Sequence, residues 1–258
     1  MKAIILAAGM GTRLRPYTLD RPKCLVEIEG TSLLERQLAV LRSRGVDEIV
    51  VVGGYHAEML EGKAKRLYIN PRYAETNMVT TLFCAEEELN GEVVVSYGDI
   101  VYAGEILDNL LGSSAEIAVT IDMQWESYWR ARSEDPLADA ETLRLGEDGR
   151  IVEIGQRPRS LDEIEGQYMG LMKFSGQGLK QLKIAYRKAL QEGMLGPRTV
   201  EKAYMTDLLQ ALIDSGSRVQ AVPVSAPWIE VDTVSDLMLN EVIRRARALS
   251  SDLNETER

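Results

Sequence analysis

The chain has 258 residues, of which 45% are hydrophobic, and its 40 acidic and 30 basic side chains give a formal net charge of -10. This length and apolar share suit one large α/β domain with a substantial core. The acidic excess argues against nucleic acid and anionic membrane surfaces as partners, because both select basic faces, so we expect a small ligand.

Strands and helices alternate along the first half of the chain. Helical stretches at 33–44 and 79–89 separate apolar runs of strand length at 3–8, 48–52, 93–96 and 117–121. Glycines or an Asn-Gly pair mark several of the junctions. This alternation predicts a doubly wound, mostly parallel mixed α/β sheet of the Rossmann-like kind.

The second half of the chain is more polar and its pattern is looser. It predicts strands at 151–154, 168–174, 219–224 and 228–232, with helices at 177–192 and 234–249. We therefore expect a single domain over 1–258, with a first half at about 1–122, an inserted second half at about 123–233, and a C-terminal helix and tail at 234–258.

Cysteine content and the N-terminal residues bear on the compartment. Cys24 and Cys84 are too few for a disulfide framework and lack metal-ligand spacing. The first apolar stretch is too short for a secretory signal, and no apolar run is long enough to cross a membrane. We expect a cytoplasmic protein, and a homo-oligomer is compatible with the sequence.

A glycine-rich turn follows the first strand. Gly9 and Gly11 let the backbone turn sharply and approach a ligand, and Thr12 offers an amide and a hydroxyl. Arg13 and Lys23 add positive charge, so the segment predicts a phosphate cradle for a nucleoside triphosphate. It lacks the ending of a P-loop and the third glycine of a dinucleotide fingerprint, although an oxidoreductase could share the strand and turn.

The stretch 6–25 resembles the Leu-Ala-Ala-Gly-x-Gly-Thr-Arg-Leu-x-Pro…Pro-Lys-x-Leu motif of the sugar-phosphate nucleotidylyltransferase superfamily. This resemblance implies that residues 1–122 form a nucleotide-binding half. A turn at Gly54 and helix capping by Thr76 and Asn77 are structural alternatives to nucleotide contacts. The nucleotide-binding residues expected are Leu6, Ala8, Gly9, Gly11, Thr12, Arg13, Lys23, Gly54, Thr76 and Asn77.

Three acidic residues are candidate magnesium ligands. Asp99 follows the strand at 93–96, where open α/β sheets bind ligands, while Glu230 and Asp232 alternate with apolar residues and should share one strand face. The superfamily resemblance implies that all three bind Mg²⁺, which prefers carboxylate and phosphate oxygens. It implies Arg13, Lys23, Asp99 and Asp232 as the catalytic residues, with no protein nucleophile.

The segment 70–85 and the blocks at 96–102, 139–143, 166–171 and 205–213 resemble the cytidylyltransferase branch, notably the phosphoglutamine and, more distantly, the phosphocholine cytidylyltransferases. This implies CMP transfer from CTP to a small phosphorylated amino compound, best L-glutamine phosphate, with pyrophosphate release and a role in capsule phosphoramidate synthesis. Phosphocholine, 2-aminoethylphosphonate and sugar 1-phosphates are the alternative acceptors. A nucleotide-binding regulator without turnover is a further alternative.

The second half should bind the acceptor. Arg157 stands where the superfamily commonly has a lysine that meets the acceptor phosphate, and Glu165 or Asp139 could pair with an ammonium group. Several aromatic residues could form a wall for that group, although core packing is the alternative. The expected acceptor-binding residues are Asp122, Trp125, Arg157, Glu165, Tyr168, Lys173 and Trp228.

Overall fold

A computed structural model describes residues 1–256 of the chain. Its strands are β1 (Lys2–Ala7), β2 (Glu27–Ile28), β3 (Thr31–Ser32), β4 (Glu48–Gly53), β5 (Arg66–Ile69), β6 (Val93–Tyr97), β7 (Ile100–Tyr102), β8 (Ile117–Asp122), β9 (Leu143–Leu145), β10 (Ile151–Ile154), β11 (Gln167–Phe174), β12 (Met194–Leu195), β13 (Arg198–Thr199), β14 (Gln220–Val224) and β15 (Trp228–Glu230).

Helices connect most of these strands. They are α1 (Leu33–Ser43), α2 (Met78–Phe83), α3 (Gly104–Gly112), α4 (Trp125–Arg132), α5 (Gly176–Glu192), α6 (Met205–Asp214), α7 (Val234–Met238) and α8 (Asn240–Thr256). Helix α1 begins with a capping box, in which the Ser32 hydroxyl accepts from the Glu35 amide and the Glu35 carboxylate accepts from the Ser32 amide. None of these helices is long and apolar enough to span a membrane.

The central sheet has seven strands in the order β14-β8-β11-β6-β1-β4-β5. Neighbouring strands are parallel except β11, which is antiparallel to β6 and β8. The expected doubly wound, mostly parallel mixed α/β sheet is therefore confirmed. Strands β11 and β14, which come from the expected acceptor half, belong to the same sheet as the glycine-loop strand β1.

Apolar side chains cover both faces of this sheet. Neighbouring residues of β1 point to opposite faces, so Ile5 packs in one core with Leu34 of α1, while Ile4 packs in the other with Leu82 of α2. All four side chains are fully buried. Burial on both faces explains why the parallel strands are continuous apolar runs in the sequence.

Two predicted helices differ from the observed ones. The helix expected at 79–89 ends at Phe83, and a separate single 3₁₀ turn follows at Glu86–Glu88. The helix expected at 234–249 is interrupted at Leu239, whose backbone is extended, so it becomes α7 and α8. A Thr233–Asp236 capping box starts α7. Residues 257–258 of the expected tail lie outside the described residues.

A short two-stranded pairing brings the C-terminal acids to the sheet. Strand β15 runs antiparallel to β7, with Glu230 opposite Ile100, and the Val231 amide donates to the Asp99 carbonyl at 3.1 Å. Strand β7 begins just after β6 ends, so Asp232 lies beside the carboxyl ends of the parallel strands. This edge of the sheet carries the candidate site.

Candidate active site

Lys23 lies between two carboxylates at the carboxyl edge of the sheet. Its Nζ donates to Asp99 Oδ2 at 2.6 Å and to Asp232 Oδ1. Arg13 Nη2 donates to the other oxygen of Asp232 at 2.8 Å. The structure thus brings together all four residues predicted to be catalytic, from three separated parts of the chain.

The glycine turn fixes the position of Lys23. Gly11 has a left-handed backbone with φ of 57°, and its carbonyl accepts from the Thr18 hydroxyl at 2.7 Å. A Cβ on Gly11 would lie only 3.1 Å from the Cβ of Lys23. A glycine at this position therefore allows the two basic segments to pack closely.

The electrostatics of this cluster follow from burial and pairing. Burial opposes the charge on Lys23, but the adjacent carboxylates of Asp99 and Asp232 outweigh it and raise the lysine pKa. Burial would raise the pKa of Asp232, yet Lys23 and Arg13 hold it below its ordinary value. Lys23 and Asp232 are therefore both charged at neutral pH.

Glu230 is tied to a second cation. Burial raises its pKa to about 7, although Arg132 Nη1 donates to its carboxylate at 2.6 Å. Arg132 also donates through Nε to Asp236 at 3.0 Å. The structure therefore commits the carboxylate of Glu230, expected as a third metal ligand, to a salt bridge.

The chemistry of the remaining carboxylates fits a divalent cation. Asp99 Oδ1 is buried and has no hydrogen-bond partner, and both Asp99 and Asp232 converge on one cationic nitrogen. Carboxylate oxygens are the ligands that Mg²⁺ prefers. Within the described residues no group of three or more acidic, histidine or cysteine side chains is arranged to hold a metal ion, and Asp99 and Asp232 are the two carboxylates that fit one.

A small cavity of about 110 Å³ opens beside Lys23. Six of the expected nucleotide-binding residues line it: Leu6, Ala8, Gly9, Lys23, Thr76 and Asn77. Asp99 and Tyr97 line it as well. Asn77 also caps α2, because its Oδ1 accepts from the Met78 amide at 3.0 Å. The same residue therefore caps the helix and lines the cavity.

A wider cleft of about 460 Å³ lies on the other side of Tyr97, which lines both spaces. Arg13, Glu230 and Asp232 line the edge of this cleft nearest the catalytic cluster. The remaining wall is aromatic and polar, with Trp129, Asp139, Glu141, Gln167, Tyr168, Tyr204 and Thr206 among its residues. The charged cluster therefore stands where a small pocket and a larger one meet.

The comparisons with known proteins agree with this geometry. Residues 3–153, more than half of the chain, match the family described as the MobA-like NTP transferase domain. The chain belongs to this family. Over 248 residues it is 39% identical to the CTP:phosphoglutamine cytidylyltransferase of Campylobacter jejuni, covering 92% of this chain and 98% of that protein. The expected membership of the nucleotidylyltransferases is confirmed, and the chain is a nucleotidyltransferase.

Two solved structures share the fold of this transferase. The inositol-1-phosphate CTP transferase from T. maritima has a TM-score of 0.76 at 22% identity and covers 98% of this chain and 96% of its own. The CTP:phosphocholine cytidylyltransferase of Streptococcus pneumoniae has a TM-score of 0.67 at 22% identity and covers 98% of both chains. At this level of identity the likeness concerns the fold.

Four expected nucleotide-binding residues do not line the small cavity of the transferase, and one of them, Arg13, lines the wider cleft instead. Gly11 packs under Lys23, and Thr12 is exposed on the 3₁₀ turn Thr12–Leu14. A Cβ on Gly54 would lie 2.6 Å from the Cβ of Tyr73 and 2.8 Å from the Ala8 carbonyl. Close packing against Tyr73 and Ala8 therefore explains why position 54 is a glycine.

Most expected acceptor-binding residues lie elsewhere than expected. Tyr168 lines the cleft, but Trp125 and Trp228 are in the core, and Asp122 accepts from Trp228 Nε1 at 2.8 Å. Arg157 and Glu165 are exposed residues outside the cleft, and Glu165 accepts from the Leu145 amide. Of these six residues only Tyr168 lines the cleft, and the acceptor-binding roles stay predictions.

Lys173 lies at the opposite edge of the sheet. It is buried, pairs in register with Val94 at the start of β6, and its Nζ donates to the Ser113 carbonyl. Because β11 is antiparallel, its last residues lie far from the carboxyl ends of the parallel strands. Lys173 therefore lies outside the cleft, and its role in binding the acceptor stays a prediction.

Sequence reasoning missed Glu141, Gln167 and Tyr204 as cleft residues. Burial raises the pKa of Glu141 to about 7, and its carboxylate accepts only from the Thr206 hydroxyl, at 3.3 Å. Gln167 Oε1 and Trp129 Nε1 are buried without a hydrogen-bond partner. The block at 139–143 carried a signal, since two acids there flank an alanine beside a strand.

Proposed function

We propose that this transferase uses CTP and Mg²⁺ to transfer CMP to a small phosphorylated amino compound, with L-glutamine phosphate as the first candidate, and releases pyrophosphate. The observation that carries the proposal is Lys23, held between Asp99 and Asp232 where the small cavity meets the wider cleft. The similarity to a phosphoglutamine cytidylyltransferase supports the choice of nucleotide and acceptor.

The reaction is a displacement at the α-phosphorus. A phosphate oxygen of the acceptor forms the new P–O bond, and the bond from the α-phosphorus to the bridging oxygen breaks, so that pyrophosphate leaves with the electron pair. The attacking oxygen is already anionic and needs no general base. Catalysis therefore rests on positioning and on neutralising charge.

Four residues of the chain would provide this positioning and charge neutralisation. Lys23 and Arg13 are the cations nearest the boundary between the two spaces, and they would neutralise phosphate oxygens. Asp99 and Asp232 would hold a divalent cation, which when bound supplies further positive charge at the reacting phosphate. Within the cluster, the formal positive charges of Lys23 and Arg13 together balance the two carboxylates of Asp99 and Asp232.

A panel of substrates tests this function. Pyrophosphate release would be measured with Mg²⁺ for CTP, UTP, dTTP and GTP against L-glutamine phosphate, phosphocholine, 2-aminoethylphosphonate and glucose 1-phosphate. We expect the highest kcat/KM for CTP with L-glutamine phosphate. Turnover with glucose 1-phosphate alone would retain the catalytic cluster and overturn the acceptor assignment.

A further inference from the structure

We propose that Glu141 and Gln167 form a subsite of the wider cleft that binds a primary ammonium group of the acceptor. This inference rests on the proposed function and deepens it. It assigns to two named side chains the choice between acceptors with and without a free amine.

Gln167 provides the first observation. The residue lies at the start of β11, is 5% exposed and lines the cleft, yet its Oε1 has no hydrogen-bond partner. A buried carbonyl oxygen left unpaired costs about 1–3 kcal/mol, so a donor from a ligand would recover that cost. An ammonium group carries such donors.

Glu141 provides the second observation. It lines the same cleft, and the described residues give its carboxylate no salt bridge. The nearby guanidinium of Arg198 is committed to Asp207 at 2.6 Å and lies over the ring of Tyr204. The other cleft carboxylates of the catalytic edge, Glu230 and Asp232, both have cationic partners.

The charge of the cleft follows from this difference. The phosphate-binding edge carries Arg13 and Lys23, whereas the opposite wall carries the carboxyl groups of Glu141 and Asp139, which form no salt bridge within the described residues. A ligand with a phosphate at one end and a cation at the other complements this arrangement. A sugar hydroxyl could donate to the Gln167 oxygen, but a neutral sugar would leave the Glu141 carboxylate without a cationic partner.

The subsite also distinguishes between kinds of cation. A primary ammonium donates hydrogen bonds to both oxygens, but a trimethylammonium group has no N–H and leaves Gln167 Oε1 unpaired. Sites built to hydrogen-bond a ligand reject analogues that lack the donor. Phosphocholine should therefore be a poor acceptor for this chain.

The test compares L-glutamine phosphate with its α-N-acetyl derivative and with phosphocholine, at saturating CTP and Mg²⁺. We expect kcat/KM for the free amine to exceed that for each analogue about tenfold or more. Glu141→Gln and Gln167→Met should each lower kcat/KM for the free amine about tenfold, leave the acetylated acceptor within about twofold, and leave the KM for CTP unchanged. Equal losses with both acceptors would overturn the subsite.

Two controls keep the outcomes distinct. Glu192→Gln changes an exposed acid at the end of α5, away from the cleft, and should leave all acceptors unaffected. Calorimetric binding of L-glutamine phosphate to the wild type and to Glu141→Gln tests the subsite without turnover. Absence of turnover with every triphosphate would defeat the proposed function, whereas equal binding by these two proteins would defeat the subsite alone.

Discussion

Asp232 receives hydrogen bonds from two cations, Lys23 and Arg13, at the boundary between the two cavities. Asp232→Asn keeps the volume and removes the charge. We expect kcat to fall at least about 100-fold, because the displacement depends on positioned charge. The free energy of unfolding should change by about 1 kcal/mol or less, since Lys23 keeps its ion pair with Asp99.

Pyrophosphate release and urea denaturation measure these two effects. The matched control is Asp47→Asn, an exposed acid just before β4 at the amino edge of the sheet, which should leave kcat unchanged. Wild-type turnover by Asp232→Asn would refute the assignment of this carboxylate to catalysis.

Glu141 makes folding stability depend on pH. Its pKa is raised to about 7 by burial, with Asp207 and Asp139 adding to the rise and Thr206 and Arg198 opposing it. Between pH 4.5 and 7 the native state binds the proton more tightly than the unfolded chain. Stability therefore falls as pH rises through this window, by an amount on the order of 3 kcal/mol.

Glu141→Gln removes this titration, so its free energy of unfolding should exceed that of the wild type at pH 8 and approach it at pH 5. Urea denaturation at both pH values measures the difference. A variant less stable than the wild type at pH 8 would contradict the expectation. That result would mean that burial of the Glu141 carboxylate does not lower the free energy of unfolding.

At the scale of elements, Arg132 joins α4 to β15 and α7. It is the guanidinium partner of Glu230 and Asp236, and Asp236 also accepts from the Asp232 and Thr233 amides at 2.9 and 2.8 Å. Removing the arginine leaves two carboxylates in a mostly buried site. We expect Arg132→Met to lower unfolding stability by about 3 kcal/mol.

Helix α4 offers a matched control in Arg130→Met. Arg130 lies two residues before Arg132 and pairs with Glu126 on the exposed surface, so its loss should cost about 0.5 kcal/mol or less. Urea denaturation compares the two variants. Equal destabilisation by Arg132→Met and Arg130→Met would show that the ion pairs of Arg132 stabilise the fold no more than a surface ion pair does.

The sequence was sufficient to predict the elements of the sheet that surround the glycine turn. Buried parallel strands such as β1 and β4 are apolar after a charged first residue, Lys2 or Glu48, and each ends at a recognisable turn. The short helices α3, α4 and α6 were missed, because eight to ten residues hold few helical repeats. Tertiary packing stabilises such helices more than their own propensity does.

The same contrast holds for the site. Lys23, Asp99 and Asp232 could be predicted because a motif or a strand end fixes each one. The acceptor wall could not, because its residues come from α4, α6, β11 and the segment before β9. The sequence pattern identifies β11 as a strand but does not reveal its antiparallel direction, which determines where Lys173 lies.

At the scale of the whole molecule, ligand binding should raise thermal stability. If CTP and Mg²⁺ bind the native state together at about 100 times the dissociation constant, linkage adds about 2.7 kcal/mol. For a chain of this size that corresponds to roughly 5–10 °C in Tm. Differential scanning fluorimetry with and without EDTA measures the dependence on the metal.

Asp232→Asn serves as the comparison, because it removes one of the two carboxylates that fit the cation. Its Tm should respond to CTP by less than half the wild-type shift at the same concentrations. An unchanged wild-type shift in EDTA would contradict a metal-assisted nucleotide site.

The pairing of Lys23 with Asp232 joins residues 209 positions apart. The last strand of the central sheet, β14, ends at Val224, before β15 and Asp232 have been synthesised. All seven strands of the central sheet therefore precede Asp232 in the chain, and the cluster is completed by the segment that follows the pairing of β15 with β7. Closing so long a stretch of chain carries a high entropic cost, so the charged cluster should form late in folding.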